Sequence, residues 1–174
     1  MPRATQNLPG LAVLEQTPIV IEKILLDVPE STLTWKPNSQ RWSVSEVLAH
    51  LAEVDSVFRD RTRKIASEDS PKIESYDQNV AYAAGKYSGQ AGRERLKQFC
   101  HERDRTLSML RYLPEGALGR AGQHAELGKI TISDLLHEWA FHDLGHIKQI
   151  SELYRAAAYY PRMGAFKNYY TVNP

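Results

Sequence analysis

The chain has 174 residues, 42% of them apolar, with 22 basic and 21 acidic side chains and a formal net charge of +1. That is enough for one domain with a sizeable core, and it leaves no electrostatic footprint for nucleic acid or an anionic membrane. The lone cysteine, Cys100, excludes an intramolecular disulfide and is compatible with a reducing compartment.

The short basic string "RDRTRK" reads as a solvated helix face. The N-terminus "MPRATQNLPG" lacks the apolar stretch of a signal peptide, and no apolar run approaches the length of a bilayer span. The expectation is a cytoplasmic protein of one domain over residues 1–174, with a bundle core at about 14–156 and an aromatic tail at 157–174.

Four segments carry helical periodicity, and none shows convincing strand alternation bounded by turn residues. The spacing therefore predicts an all-α domain. The first helix is expected to open in "TPIVIEKILLDV", where Thr17 can cap and Pro18 can occupy the first helical position, and to stop before Pro29. The second opens at Ser43, which with Glu46 makes a capping box, and runs to about Ala66. Between Glu68 and Gly89 the chain is rich in turn formers and tyrosines, and it is too long for an ordinary bundle loop. A crossover between parallel neighbours explains that length.

The third helix is predicted from about Gln90 to Leu113, with Leu96, Phe99, Cys100, Leu107, Leu110 and Leu113 on one side and Pro114 and Gly116 ending it. After a Gly-rich loop the fourth opens at Thr131, with Asp134 three residues on, and continues to roughly Arg155. The tail "AAAYYPRMGAFKNYYTVNP" is too aromatic for a free disordered end, so it is expected to pack on the bundle or on a partner subunit.

The candidate chemistry lies in the fourth helix, in "WAFHDLGHIKQI". On a wheel of about 100° per residue with Leu135 at zero, Trp139, Ile150 and Leu153 form the core stripe, and His142 and His146 fall near −20° and +20°. Two imidazoles four residues apart in a core are costly unless their nitrogens find partners. The same spacing lets both converge on one metal ion. On spacing alone, a metal site and a pair of core histidines bonded to carboxylates or carbonyls both remain open.

A stable site normally takes a third protein ligand, and His50 is the candidate, flanking the stripe of Val44, Val47, Leu51, Val54 and Phe58 in the second helix. Three neutral imidazoles would leave a coordination position for water or substrate. His137 and His101 are predicted to face solvent, and His124 to lie in a loop. Cys100 reads as a small buried hydrophobe, and Trp42 and Trp139 as core or pocket-wall aromatics. Arg103 reads either as a packed stem whose head pairs with an acid such as Glu53, or as an anion-binding group over the pocket.

The stretches "WSVSEVLAHLAEVD" and "TISDLLHEWAFHDLGHIKQI", with support through "FRDRTRKIASEDSP" and the crossover, resemble the DinB-like (DinB/YfiT) superfamily of metal-dependent enzymes from about Leu14 onward. The resemblance implies a four-helix bundle in up-down-down-up order with the long crossover between helices 2 and 3, often dimeric. It also implies a divalent ion, zinc or nickel, held by His50, His142 and His146. Members of the family include S-transferases that use low-molecular-weight thiols such as bacillithiol or mycothiol, a thiol-dependent isomerase and proteins named hydrolases by analogy. The functional expectation is thus a metal-dependent enzyme activating a small thiol or water on a small-molecule substrate, working as a homodimer. The alternative is a non-enzymatic metal- or ligand-binding bundle in stress response. Asp143, Glu138 and Glu53 are the candidate bases for a hydrolase, and Arg103 and the loop around His124 are candidate thiol-binding elements.

Overall fold

The computed structural model describes residues 7–173; residues 1–6, where the signal-peptide reading begins, and residue 174 lie outside the described residues. In chain order the elements are helix α1 (Leu11–Ile24), the short helix α2 (Glu30–Leu33), α3 (Val44–Ser67), strand β1 (Lys72–Ile73), α4 (Gln78–Ala83), α5 (Gly92–Leu110), β2 (Ala121–His124), β3 (Gly128–Thr131) and α6 (Ile132–Tyr154). The four long helices, α1, α3, α5 and α6, make the bundle.

Side-chain pairs give their directions. Along α3 and α5 the partners rise together, Ser45 with Gln90, Asp55 with Arg103 and Arg59 with Thr106, so these helices are parallel. Against α6 the order reverses, since His50 meets His142 and Phe58 meets Trp139. Helix α1 also runs against α5, with Glu22 beside Cys100 and the Leu14 carbonyl beside Arg103. The bundle is therefore up-down-down-up, and the parallel α3–α5 pair requires the long crossover that the sequence predicts.

The starts of α3 and α6 form as their sequences dictate. Ser43 accepts from the Glu46 amide at 3.2 Å while Glu46 accepts from the Ser43 amide at 2.8 Å, and Thr131 and Asp134 repeat the exchange at 3.0 and 2.9 Å. Helix α1 departs from expectation, because it begins at Leu11 and holds Pro18 in its interior. A proline there leaves the carbonyl four residues back without its helical donor. That carbonyl belongs to Leu14, and Arg103 Nη1 from α5 donates to it at 2.8 Å. A tertiary donor replaces the missing N–H, so the helix continues through the proline.

The core has two apolar clusters. One gathers Leu14, Val54, Phe58, Leu107, Leu136 and Trp139; the other gathers Ile21, Leu48, Leu51, Phe99, Ile150 and Leu153. Arg103 on α5 and Asp143 on α6 lie between them in sequence, and Asp55 on α3 lies just past Val54 where the first cluster begins, all with no exposed surface. A small sheet, β1 parallel to β2 and β2 antiparallel to β3, sits against the first cluster and corrects the expectation of a strand-free chain. Past α6 the chain makes a π-helical turn (Arg155–Tyr159) and two 3₁₀ turns. Of the two packings expected for the tail, on the bundle or on a partner subunit, the first is not seen at Phe166 and Tyr169, which are 67% and 81% exposed. Among the described residues no helix is long and apolar enough to cross a membrane.

Candidate metal centre

Helix α3 carries His50 inward, and one turn of α6 carries His142 and His146 toward it. The Nε2 atoms of His50 and His146 each lie 3.1 Å from Nε2 of His142, and all three fall within 4.8 Å of one another. His50 is buried and the other two are half-buried. Trp42 stands edge-on to His50 at 5.1 Å between ring centres, and Phe58 closes the side next to His142 at 6.3 Å.

Proton accounting shows what this cluster can hold. A neutral imidazole offers one N–H and one lone pair, at different nitrogens. His142 Nε2 faces two partner nitrogens, so whichever it offers can serve only one of them well. Its Nδ1 is buried with no partner among the described residues. Hydrogen bonding alone therefore leaves the cluster unsatisfied. With the protons on Nδ1, three lone pairs converge on one point. Nitrogens about 2.1 Å from a tetrahedral zinc ion lie roughly 3.4 Å apart, close to the 3.1 Å spacings here. The donor set fits a divalent cation.

The outer partners suit that arrangement. The Tyr87 hydroxyl lies 3.2 Å from His50 Nδ1, and the Gln149 amide oxygen lies 2.8 Å from His146 Nδ1. Groups on the outer nitrogen of a ligating histidine fix its ring and leave the inner nitrogen bare. Burial, reinforced by the neighbouring imidazoles, pushes His50 and His142 down to about 3. His146 is lowered as well, burial outweighing the Gln149 bond and Asp143. All three rings are neutral at pH 7, the state in which they can bind a metal.

The neighbouring candidates sort differently. Arg103 pairs with Asp55 and Asp143 rather than Glu53, its Nη2 donating to Asp55 Oδ2 at 2.9 Å and to Asp143 Oδ1 at 3.0 Å. Being fully buried, it cannot bind an incoming anion. Asp143 is consumed by the same ion pairs and is not a free base. Glu53 accepts from Lys86 and Tyr76, both at 2.9 Å, and these bonds hold it below the usual carboxylate range although burial works to raise it. Glu138 faces outward, as do His137 and His101. His124 lies in β2 rather than a loop, its Nδ1 accepting from the Glu126 and Leu127 amides.

Cys100 is half-buried with its Sγ 3.7 Å from Glu22, and burial and that carboxylate raise it to about 11. It is not a nucleophile. Trp139 is fully buried core. In the sequence the crossover tyrosines register only as aromatic content, whereas Tyr87 reaches His50; Gln149 could have been found from its place one turn beyond His146.

Comparison with known proteins now decides the family, since residues 14–150 match the model of the DinB superfamily. The chain belongs to the DinB superfamily. Two relatives, of Bacillus subtilis and Oceanobacillus iheyensis, carry the names "Putative metal-dependent hydrolase YfiT" and "Putative metal-dependent hydrolase OB0782". Each is 26% identical, over 83% of this chain and 82% of YfiT and over 80% of this chain and 81% of OB0782. The solved structure of Bacillus subtilis YfiT, described as an unusual four-helix bundle, superposes with a TM-score of 0.72 at 23% identity over 84% of this chain and 85% of that one. The likeness establishes the DinB bundle as the fold.

Proposed function

We propose that this protein is a metal-dependent enzyme in which His50, His142 and His146 hold one zinc or nickel ion and a remaining coordination position takes a small nucleophile. The observation that carries this reading is the convergence of three neutral imidazoles through their Nε2 atoms, with His142 Nε2 facing two of them at 3.1 Å while it has only one proton or one lone pair to offer. The names of the relatives, metal-dependent hydrolases, support metal-dependent chemistry. Bound there, a divalent ion would lower the pKa of a coordinated water or thiol and polarise a substrate.

The carboxylates close to the site in sequence favour a thiol as the nucleophile. Asp55 and Asp143 are tied to Arg103, Glu53 to Lys86 and Tyr76, and Glu46 to Lys36 and the α3 cap. A water attack calls for a free general base, whereas a thiol needs only a metal to become thiolate. A thiol-dependent transferase is thus our first reading and a hydrolase the second. A cytoplasmic homodimer belongs to the same reading, supported by the family resemblance and the exposed aromatic tail.

The test is metal analysis of the purified protein, followed by turnover of an electrophile with a panel of thiols against hydrolysis of simple esters and amides. About one equivalent of zinc or nickel is expected, lost in the His142→Ala/His146→Ala variant. No metal after supplemented expression would overturn the proposal, and metal without turnover would leave a non-enzymatic binding bundle.

A further inference from the structure

We propose that Glu53, Tyr76 and Tyr87 form a one-way hydrogen-bond relay that sets the tautomer of His50 and thereby presents a bare Nε2 to the metal. The inference rests on the metal-site reading above and assigns three positioning residues to it. Glu53 sits one turn beyond His50 on α3, and the two tyrosines come from the crossover that passes over this end of the site. Glu53 Oε2 accepts from the Tyr76 hydroxyl at 2.9 Å, the Tyr76 and Tyr87 hydroxyls are 2.7 Å apart, and Tyr87 is 3.2 Å from His50 Nδ1.

The direction of each bond follows from the carboxylate. An ionised carboxylate only accepts, and a phenol has one proton to give. Tyr76 must spend its proton on Glu53, so its oxygen accepts from Tyr87. Tyr87 has then spent its own proton and can only accept from His50. The proton of His50 is fixed on Nδ1, and its lone pair points from Nε2 to His142 and His146. Reversing the chain would leave the Tyr76 oxygen facing Glu53 at 2.9 Å with no proton between two acceptors. Lys86 donates to the other carboxylate oxygen at 2.9 Å and holds Glu53 in the required orientation.

Glu53→Gln tests the polarity directly. Its amide oxygen stays with Lys86, which can only donate, so the amide nitrogen turns to Tyr76 and donates. The relay then runs backwards, Tyr87 donates to Nδ1, and the His50 proton moves to Nε2, where a metal must bind. Tyr87→Phe removes the acceptor without reversing it, and Lys86→Met preserves the polarity.

Zinc affinity is measured by chelator competition, with circular dichroism and urea unfolding to confirm that each variant folds. The His50 tautomer is read independently in metal-free protein by nitrogen-15 NMR. Outer partners of metal ligands are typically worth 10–100-fold in affinity. The expected losses are about 100-fold for Glu53→Gln, about 10-fold for Tyr87→Phe and under about 3-fold for Lys86→Met. Should Glu53→Gln fold poorly, the wild-type NMR tautomer and the Tyr87→Phe loss still test the relay. Wild-type protein should carry the proton at Nδ1 and Glu53→Gln at Nε2. A wild-type Nε2–H, an unchanged tautomer in Glu53→Gln, or equal losses in Glu53→Gln and Lys86→Met would overturn the relay. If wild-type protein binds no zinc or nickel, the metal reading fails, and the NMR arm still decides the relay.

Discussion

Replacing Arg103 by methionine is the sharpest perturbation of the interior. The guanidinium is fully buried and donates to Asp55, to Asp143 and to the Leu14 carbonyl that Pro18 leaves open. Removing it strands two carboxylates and one carbonyl. Breaking a buried ion pair from one side costs about 3–5 kcal/mol, and an orphaned buried carbonyl adds about 1–3 kcal/mol. The sum, about 4–8 kcal/mol, is comparable to the whole stability of a domain. Urea unfolding followed by circular dichroism at pH 7 should therefore find Arg103→Met largely or wholly unfolded. The triple variant Asp55→Leu/Arg103→Met/Asp143→Leu strands no charge and should recover most of the loss. In that triple background Pro18→Ala restores an N–H to the Leu14 carbonyl and should stabilise by about 1 kcal/mol more than it does in the wild type. A cost below about 1.5 kcal/mol for Arg103→Met, or a triple variant worse than the single, would refute the reasoning.

Two further outcomes follow from the same geometry. In metal-free protein His50 and His142 titrate at about 3 when folded, against about 6.5 in the unfolded chain, so the unfolded state takes up protons first as the pH falls. Stability is present above about pH 6.5 and lost progressively toward pH 3, at up to about 1.4 kcal/mol per pH unit for each histidine. Unfolding in EDTA between pH 7 and 4.5 should show this slope, and a His50→Phe/His142→Leu variant that kept it would remove the histidines as its cause. Gly10→Ala should destabilise by about 3 kcal/mol in thermal or urea melts, because φ is +68° and an added Cβ would stand 2.6 Å from Cβ of Ala140. Ala140→Gly should return the steric part only, and a neutral Gly10→Ala would show that α1 and α6 can separate there.

What the sequence shows depends on how far the deciding interaction reaches. Both capping boxes and the inward face of the histidine pair lie within a few residues of one another, so spacing exposes them. Pro18 reads as a helix start because its compensating donor, Arg103, is 85 positions away. The sheet is hidden for a similar reason: its strands are two to four residues long, too short for alternation, and β1 meets β2 across the bundle sequence. The partner of Arg103 was within reach. With Val44 at zero on the α3 wheel, the stripe centres near 310°, Asp55 falls near 20° on one flank and His50 near 240° on the other, while Glu53 lies near 180°, well away. Asp55, not Glu53, is the acid that the wheel turns inward.

The buried triad and the three-histidine cluster share helices, which gives the costly ion pairs a second consequence. Asp55 follows His50 on α3 by five residues, about 7.5 Å of helix rise, and Asp143 adjoins His142 on α6. A guanidinium fork gripping both carboxylates fixes the heights of α3 and α6 against each other, and those heights set the 3.1 Å between His50 and His142. A buried ion network rarely adds stability beyond what apolar packing would give, yet it can select one register among several. The all-apolar triple variant separates these roles, since a methionine between two leucines can slide where the fork cannot. Its stability should return while its zinc affinity stays below that of the wild type; full recovery of both would mean that apolar packing alone sets the register.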